Sequence, residues 1–216
     1  MRITKIRPHP RVPGYRAVDV DGTRFATVAE ATIEELGLAE GLELDEVRRE
    51  RLEYAADVEA AYRVAIRMLA ARPRAVNELL RRLRDRGHNP SAAAEAVGRL
   101  EAKGLLDDAE YVRHFVRVRA PKGFGRSRLL TDVVARGVDR RVAERCIDEV
   151  VAAEELDPAA QAGALARRRA QQLGGLPLET RRRRLLAYLA RRGFRGYDVT
   201  AIVDRLLGAV ESDAPR

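Results

Sequence analysis

The chain has 216 residues, of which 46% are hydrophobic and only 5% aromatic, with no tryptophan. Its core must therefore be filled with Leu, Val, Ile and Ala, as in helix bundles. Charged residues make up 34% and leave a formal net charge of +8, carried almost wholly by arginine because Lys5, Lys103 and Lys122 are the only lysines. Basicity of this size points to a polyanionic partner: nucleic acid, a nucleoprotein or an acidic protein surface. A lone cysteine, Cys146, excludes an intramolecular disulfide and points to a reducing compartment. With no signal-like N-terminus and no apolar run of about 18 residues, a cytoplasmic protein without a membrane helix is expected.

Residues 1–58 read as an N-terminal extension of short strands, a hairpin and a helix. Ile3 to Ile6 suits a strand, and Tyr15–Val20 and Thr23–Val28 flank Asp21-Gly22, a pair that accepts the positive φ angles of a type I′ turn. Thr27 and Glu30 have capping-box spacing for a helix ending near Leu36-Gly37. From Asp45 to Arg72 there is neither Gly nor Pro, and the apolar positions follow a helical period. One long helix and two helices broken near Asp57 both fit that pattern.

The rest of the chain repeats. Leu79–Gly87 recurs as Leu129–Gly137 and as Leu185–Gly193, each an amphipathic helix stopped at glycine, the residue that takes the left-handed cap without a Cβ penalty. Beyond each glycine lies the apolar stripe of a following helix: Val97 and Leu100, Ile147 and Val150, Val203 and Leu206. Asn89-Pro90 and Asp139 are good starts for the first two of these helices. A third helix precedes each copy (Ala61–Ala71, Asp108–Ala120 and Pro158–Leu173), joined to it by a Pro- or Gly-bearing breaker. The expected fold is mainly α: an elongated tandem array of three-helix repeats at 59–107, 108–157 and 158–210, with a tail at 211–216. Cys146 falls on the buried side of the second repeat's last helix.

Charge is uneven along this array. Residues 1–58 carry 9 basic against 12 acidic side chains, whereas residues 158–216 carry 12 against 5. Arg113, Arg117, Arg119, Lys122, Arg126 and Arg128 stand in a segment, 113–128, without an acid. Residues 167–195 hold ten arginines against Glu179 alone, among them the run Arg181, Arg182, Arg183 and Arg184, followed by Arg191 and Arg192. If Pro177 opens the helix, the run starts in its first turn, where cations oppose the helix dipole unless an anion offsets them. Arg81, Arg82 and Arg84 make a smaller cluster in the first repeat. Guanidinium groups match phosphate and carboxylate oxygens in bidentate geometry, so all of these are candidate contacts for a polyanion.

No catalytic or metal-binding constellation is recognisable. His9, His88 and His114 lack ligand spacing, there is no phosphate-binding glycine loop, and Asp107-Asp108 reads as a helix start. Gly123-Phe124-Gly125 reads as a turn with Phe124 anchoring the corner. No cofactor is expected, and an enzyme is the least favoured class.

Three segments resemble the RecX family of RecA regulators: Leu69–Leu79 with its Arg72-Pro73-Arg74 loop leading into Glu78-Leu79, Gly104–Val112, and Gly125–Asp139. Tyr188–Phe194 resembles the ending of that family's third repeat, and Ile3–Ile6 with the Asp21-Gly22 hairpin resembles an extension found in some members. Ala75 stands where the family often has serine, and Asp132-Val133 replaces a common Glu-Leu. The resemblance implies a non-enzymatic, monomeric modulator of recombination and the SOS response. Such a protein lies in the groove of the RecA–DNA filament, limits RecA activity and touches single-stranded DNA directly or through RecA. A sequence-neutral DNA-binding protein without filament specificity is the other function that the basic helical units allow.

Overall fold

The computed structural model describes residues 1–212, with side chains through residue 208; the expected tail lies, from 213 on, outside the described residues. Two compact units divide the chain, Met1–Asp107 and Asp108–Arg216.

In the first unit, strands β1 (Ile3–Pro8), β2 (Tyr15–Val20) and β3 (Thr23–Ala29) form an antiparallel sheet in that order. Asp21 and Gly22 join β2 to β3 with φ of 48° and 82°, the positive pair of a type I′ turn. Helix α1 (Glu30–Glu35) follows directly, and here the expected Thr27 cap is not made. Thr27 pairs with Ala17 inside the ladder, which runs on to Ala29, so the helix starts from Ala29 without a side-chain cap. Strand pairing extends past the residue that a capping box would need.

Helix α2 (Glu46–Ala71) is a single helix, which decides between the two possibilities left by the sequence. Asp45 caps it by accepting from the Arg48 amide at 2.7 Å. Asp57 does not break it, because its carboxylate faces outward to the His88 Nδ1 at 2.6 Å and accepts from the Asn89 amide at 2.7 Å. The two halves of α2 serve two cores. Leu52 packs with Ile3, Val18, Val20, Ala26, Val28 and Leu38 beside the sheet. Val58, Ala61, Ala65 and Met68 pack with Leu79 and Leu83 of α3 (Val76–Arg84) and with Ala93, Ala96, Val97 and Leu100 of α4 (Pro90–Ala102).

The second unit holds two further triads: α5 (Asp108–Arg119), α6 (Arg126–Val134) and α7 (Arg140–Ala153), then α8 (Pro158–Gln171), α9 (Leu178–Arg192) and α10 (Tyr197–Ser212). In every triad the first and third helices pack together and the second closes on the third. Cys146 is fully buried in α7 with Ala143, Ile147 and Val150. In the last triad the stripe departs slightly from expectation. Val203 and Leu207 are buried, and Leu206 is only half-buried. Both i+3 and i+4 face one side of a helix, and here the core takes the second.

The three glycines close their helices identically. Gly87, Gly137 and Gly193 have φ of 87°, 94° and 90°. In each case the glycine amide donates three residues back and the next amide donates five back, as His88 to Leu83, Val138 to Val133 and Phe194 to Leu189. Gly193 has a second task. The amides of Gly125 and Ser127 donate to the Arg192 and Gly193 carbonyls at 2.8 and 3.3 Å, so the second and third triads meet backbone to backbone. A Cβ on Gly193 would lie 2.4 Å from the Arg128 nitrogen, and one on Gly125 2.7 Å from the Gly193 oxygen.

Candidate functional site

The arginines singled out above fall into three chemical situations. The first is pairing with a carboxylate. Arg82 Nε donates to Glu78 Oε1 at 2.9 Å, a carboxylate also held by Arg72 and Arg74. Burial pushes the Glu78 carboxyl up, but Arg82, Arg72 and Arg74 outweigh it and hold it below the usual range. Arg113 donates to Glu149 at 3.2 Å, and Arg117 to Glu154 at 3.0 Å. Arg126 grips Asp148 in bidentate fashion at 2.7 and 2.8 Å, and Arg128 pairs with Asp132 at 3.1 Å. The acid-free segment 113–128 is therefore largely neutralised by Asp132 of α6 and by Asp148, Glu149 and Glu154 on α7 and its C-terminal cap, the last three more than twenty residues further along the chain than their partners.

Arg182 grips Asp204 at 2.6 and 3.1 Å, repeating the Arg126–Asp148 clasp one triad later. In both clasps the arginine stands on the second helix eleven residues before the glycine and the aspartate lies eleven after it. The Arg126 and Arg182 guanidiniums hold the Asp148 and Asp204 carboxyls below their ordinary range.

The second situation is exposure without a carboxylate partner among the described residues: Arg81 and Arg84 on α3, Lys122 in the turn before α6, and Arg183, Arg184 and Arg191 on α9. Pro177 is the cap of α9 and Glu179 lies in its first turn, so the four-arginine run begins at the fourth residue of the helix. There the amides are already paired, Arg181 to the Pro177 carbonyl at 2.9 Å, and the dipole opposes the charges less. Arg181 itself is half-buried, with its Nε unpartnered among the described residues.

The third situation was not anticipated. Arg119 lies over the rings of both Phe115 and Phe124, at 5.2 and 5.3 Å from their centroids. Arg136 lies over Phe115 at 4.9 Å, and Arg192 lies over Phe124 and Tyr188, at 5.5 Å from each. Arg169 lies over Tyr188 at 5.8 Å. Arg136, Phe115, Arg119, Phe124, Arg192, Tyr188 and Arg169, in that order, form one unbroken alternation of guanidinium and ring through the second unit. All seven side chains are half-buried. Their hydrogen bonds go to neutral groups: Arg136 to the Asp132 carbonyl, Arg192 to the Lys122 carbonyl at 3.0 Å and Arg169 to the Gln172 amide oxygen. Phe115 and Arg119, like Tyr188 and Arg192, are four residues apart on one helix, a spacing that could have revealed half of the ladder.

Residues 61–100 match the family profile described as RecX, first three-helix domain. Regulatory protein RecX of Amycolatopsis mediterranei is 33% identical over 148 residues, which cover 68% of this chain and 83% of that protein. Regulatory protein RecX of Halorhodospira halophila is 37% identical over 144 residues, covering 66% of this chain and 86% of its own length.

The chain belongs to the RecX family.

A crystal structure of regulatory protein RecX has the same fold, with a TM-score of 0.73 at 21% identity, covering 94% of this chain and 98% of that one. The RecX profile ends inside the first triad, so the arginine–aromatic ladder lies wholly beyond it. Among the described residues no group of three His, Cys, Asp or Glu side chains could hold a metal ion. No helix among them is long and apolar enough to cross a membrane.

Proposed function

We propose that this chain is a non-enzymatic regulator that binds the RecA–DNA filament in its groove and lowers RecA activity. Membership of a family whose members are named regulatory proteins supports the regulatory role. The observation that carries the polyanion part is that cations of the second unit, among them Lys122, Arg183, Arg184, Arg191 and the four ladder arginines, are left without carboxylates among the described residues. Multivalent contact makes such a surface stronger than any one triad could be. Occupying the groove excludes duplex DNA or a co-protease substrate and disturbs the subunit transitions tied to ATP turnover. ATP hydrolysis by RecA on single-stranded DNA, measured with and without the protein, tests this directly. Hydrolysis should fall as the protein is added. An unchanged rate, together with equal retention on bare and RecA-coated strands, would leave a DNA-binding protein without filament specificity.

A further inference from the structure

We infer that the arginine–aromatic ladder of the second unit is a track for the phosphate backbone of a single nucleic-acid strand, and that it reads charge rather than bases. The inference deepens the proposed function, since it supplies the direct strand contact of that reading. It does not require RecA.

Four guanidiniums in one continuous contact chain would repel each other, and no carboxylate among the described residues relieves them. In water that repulsion is modest, but these groups are half-buried, where charges interact more strongly. The rings supply part of the compensation, because a guanidinium against an aromatic face is attracted by the ring quadrupole. An anion supplies the rest. The rings also fix each guanidinium plane, which lowers the entropy lost when its N–H fork closes on an oxyanion.

The geometry argues for phosphate and against stacked bases. Aromatic platforms that bind single strands offer bare ring faces to the bases. Here each ring is already contacted by two guanidiniums, and Phe115 also stacks on Tyr111 with centroids 6.3 Å apart. What remains on offer is a succession of N–H edges. A succession of charges along one path suits a polymer with a charge at every unit better than a carboxylate cluster on a protein. The contrast within the molecule supports this. In the first unit Tyr62 is also contacted by two cations, Arg99 and Lys103, but Arg99 is neutralised by the buried Glu59 at 2.6 Å.

Anisotropy with the full-length protein separates the possibilities, using three labelled probes: a 30-nucleotide thymidine strand, an abasic strand with the same number of phosphates, and polyglutamate. The two strands should bind within about twofold of each other, and polyglutamate far more weakly. Arg119→Gln/Arg136→Gln/Arg169→Gln/Arg192→Gln should weaken both strands by about a hundredfold in 50 mM salt. The slope of log affinity on log salt should fall by about 0.7 for each phosphate that the variant leaves without a guanidinium. Should the fourfold variant unfold, Arg119→Gln alone is informative, because Arg119 makes no side-chain hydrogen bond among the described residues. It should lower the slope by about 0.7 and the affinity about fivefold. Phe124→Leu keeps every charge and should weaken binding a few-fold at an unchanged slope. An abasic strand bound more than tenfold weaker, polyglutamate bound as tightly as DNA, or an unaltered slope in the Arg119→Gln variant would each overturn the inference. A protein that binds strands as described but leaves RecA hydrolysis untouched would overturn the filament reading and leave the ladder standing.

Discussion

In the first unit the guanidiniums of Arg72, Arg74 and Arg82 close on Glu78 and that of Arg99 closes on Glu59, two carboxylates only 3% and 5% exposed. In the second unit Arg119, Arg136, Arg169 and Arg192 lie against Phe115, Phe124 and Tyr188, and no buried acidic side chain occurs there among the described residues. The same residue type thus does two kinds of work. Closed on a buried acid, arginine fastens a loop to a helix, as at Glu78, or one helix to another, as at Glu59, and has little charge left for a partner. Laid on a ring, it keeps its charge and its N–H edges. Counting basic residues along the sequence cannot tell these apart, because acids such as Glu59 for Arg99, Glu149 for Arg113 and Asp148 for Arg126 come from other helices.

The largest stability effect should appear at the backbone crossing of the second unit. Gly193→Ala adds a Cβ at a φ of 90° and drives it into Arg128 and the Gly125 carbonyl. Strain and overlap together should cost about 4 kcal/mol in chemical denaturation. Gly87→Ala has the same φ sign and open space around it, so strain alone should cost about 1 kcal/mol. Equal losses at the two sites would mean that the crossing is not as close as described.

Next in size, Glu78→Gln should cost about 3 kcal/mol at neutral pH. This is the lower end of the range for breaking a buried ion pair, because Arg72 and Arg82 are 46% and 42% exposed. The folded Glu78 carboxyl titrates below its unfolded value, so its stabilisation is complete above the ordinary glutamate range and is lost as pH falls through the lowered folded value. Wild type and variant should therefore begin to converge in stability as pH falls into the ordinary glutamate range and meet only below the lowered folded value. A gap that persists in acid would show that the carboxylate charge is not what fastens the loop.

Smallest of all, Arg126→Ala should cost no more than about 1 kcal/mol, since its clasp with Asp148 is about half exposed. A larger loss would make this repeated clasp a structural fastener comparable to Glu78.

Much of the fold was legible because its signals are local. Glycines at 87, 137 and 193 stop helices by their own φ preference, and Asp21-Gly22 sets its turn in the same way. Thr27 misled because its capping role competes with a strand ladder that only tertiary structure reveals. For Leu206 and Leu207, helical period alone allows either to face the core. The basic character of the second unit was legible, but its distribution was not. Arg113 and Arg126 read as free until Glu149 and Asp148 arrive from α7, and the ladder joins rings and guanidiniums as far apart as Phe124 and Arg192 in sequence. Phe124 reads in the sequence as the anchor of a corner; that it carries two guanidiniums follows only from the meeting of two triads.

The most direct test of the central claim is inhibition of RecA ATP hydrolysis on single-stranded DNA by two matched variants. Arg183→Ala/Arg184→Ala removes exposed charges of the second unit that have no carboxylate among the described residues. Arg48→Ala/Arg49→Ala removes two charges of the first unit that are paired with Asp45, Glu46 and Glu53. The first variant should need about tenfold more protein for half-inhibition, with a shallower salt dependence, and the second should match wild type. Equal weakening by both, or weakening by the second alone, would contradict the claim that unpaired arginines of the second unit hold the filament.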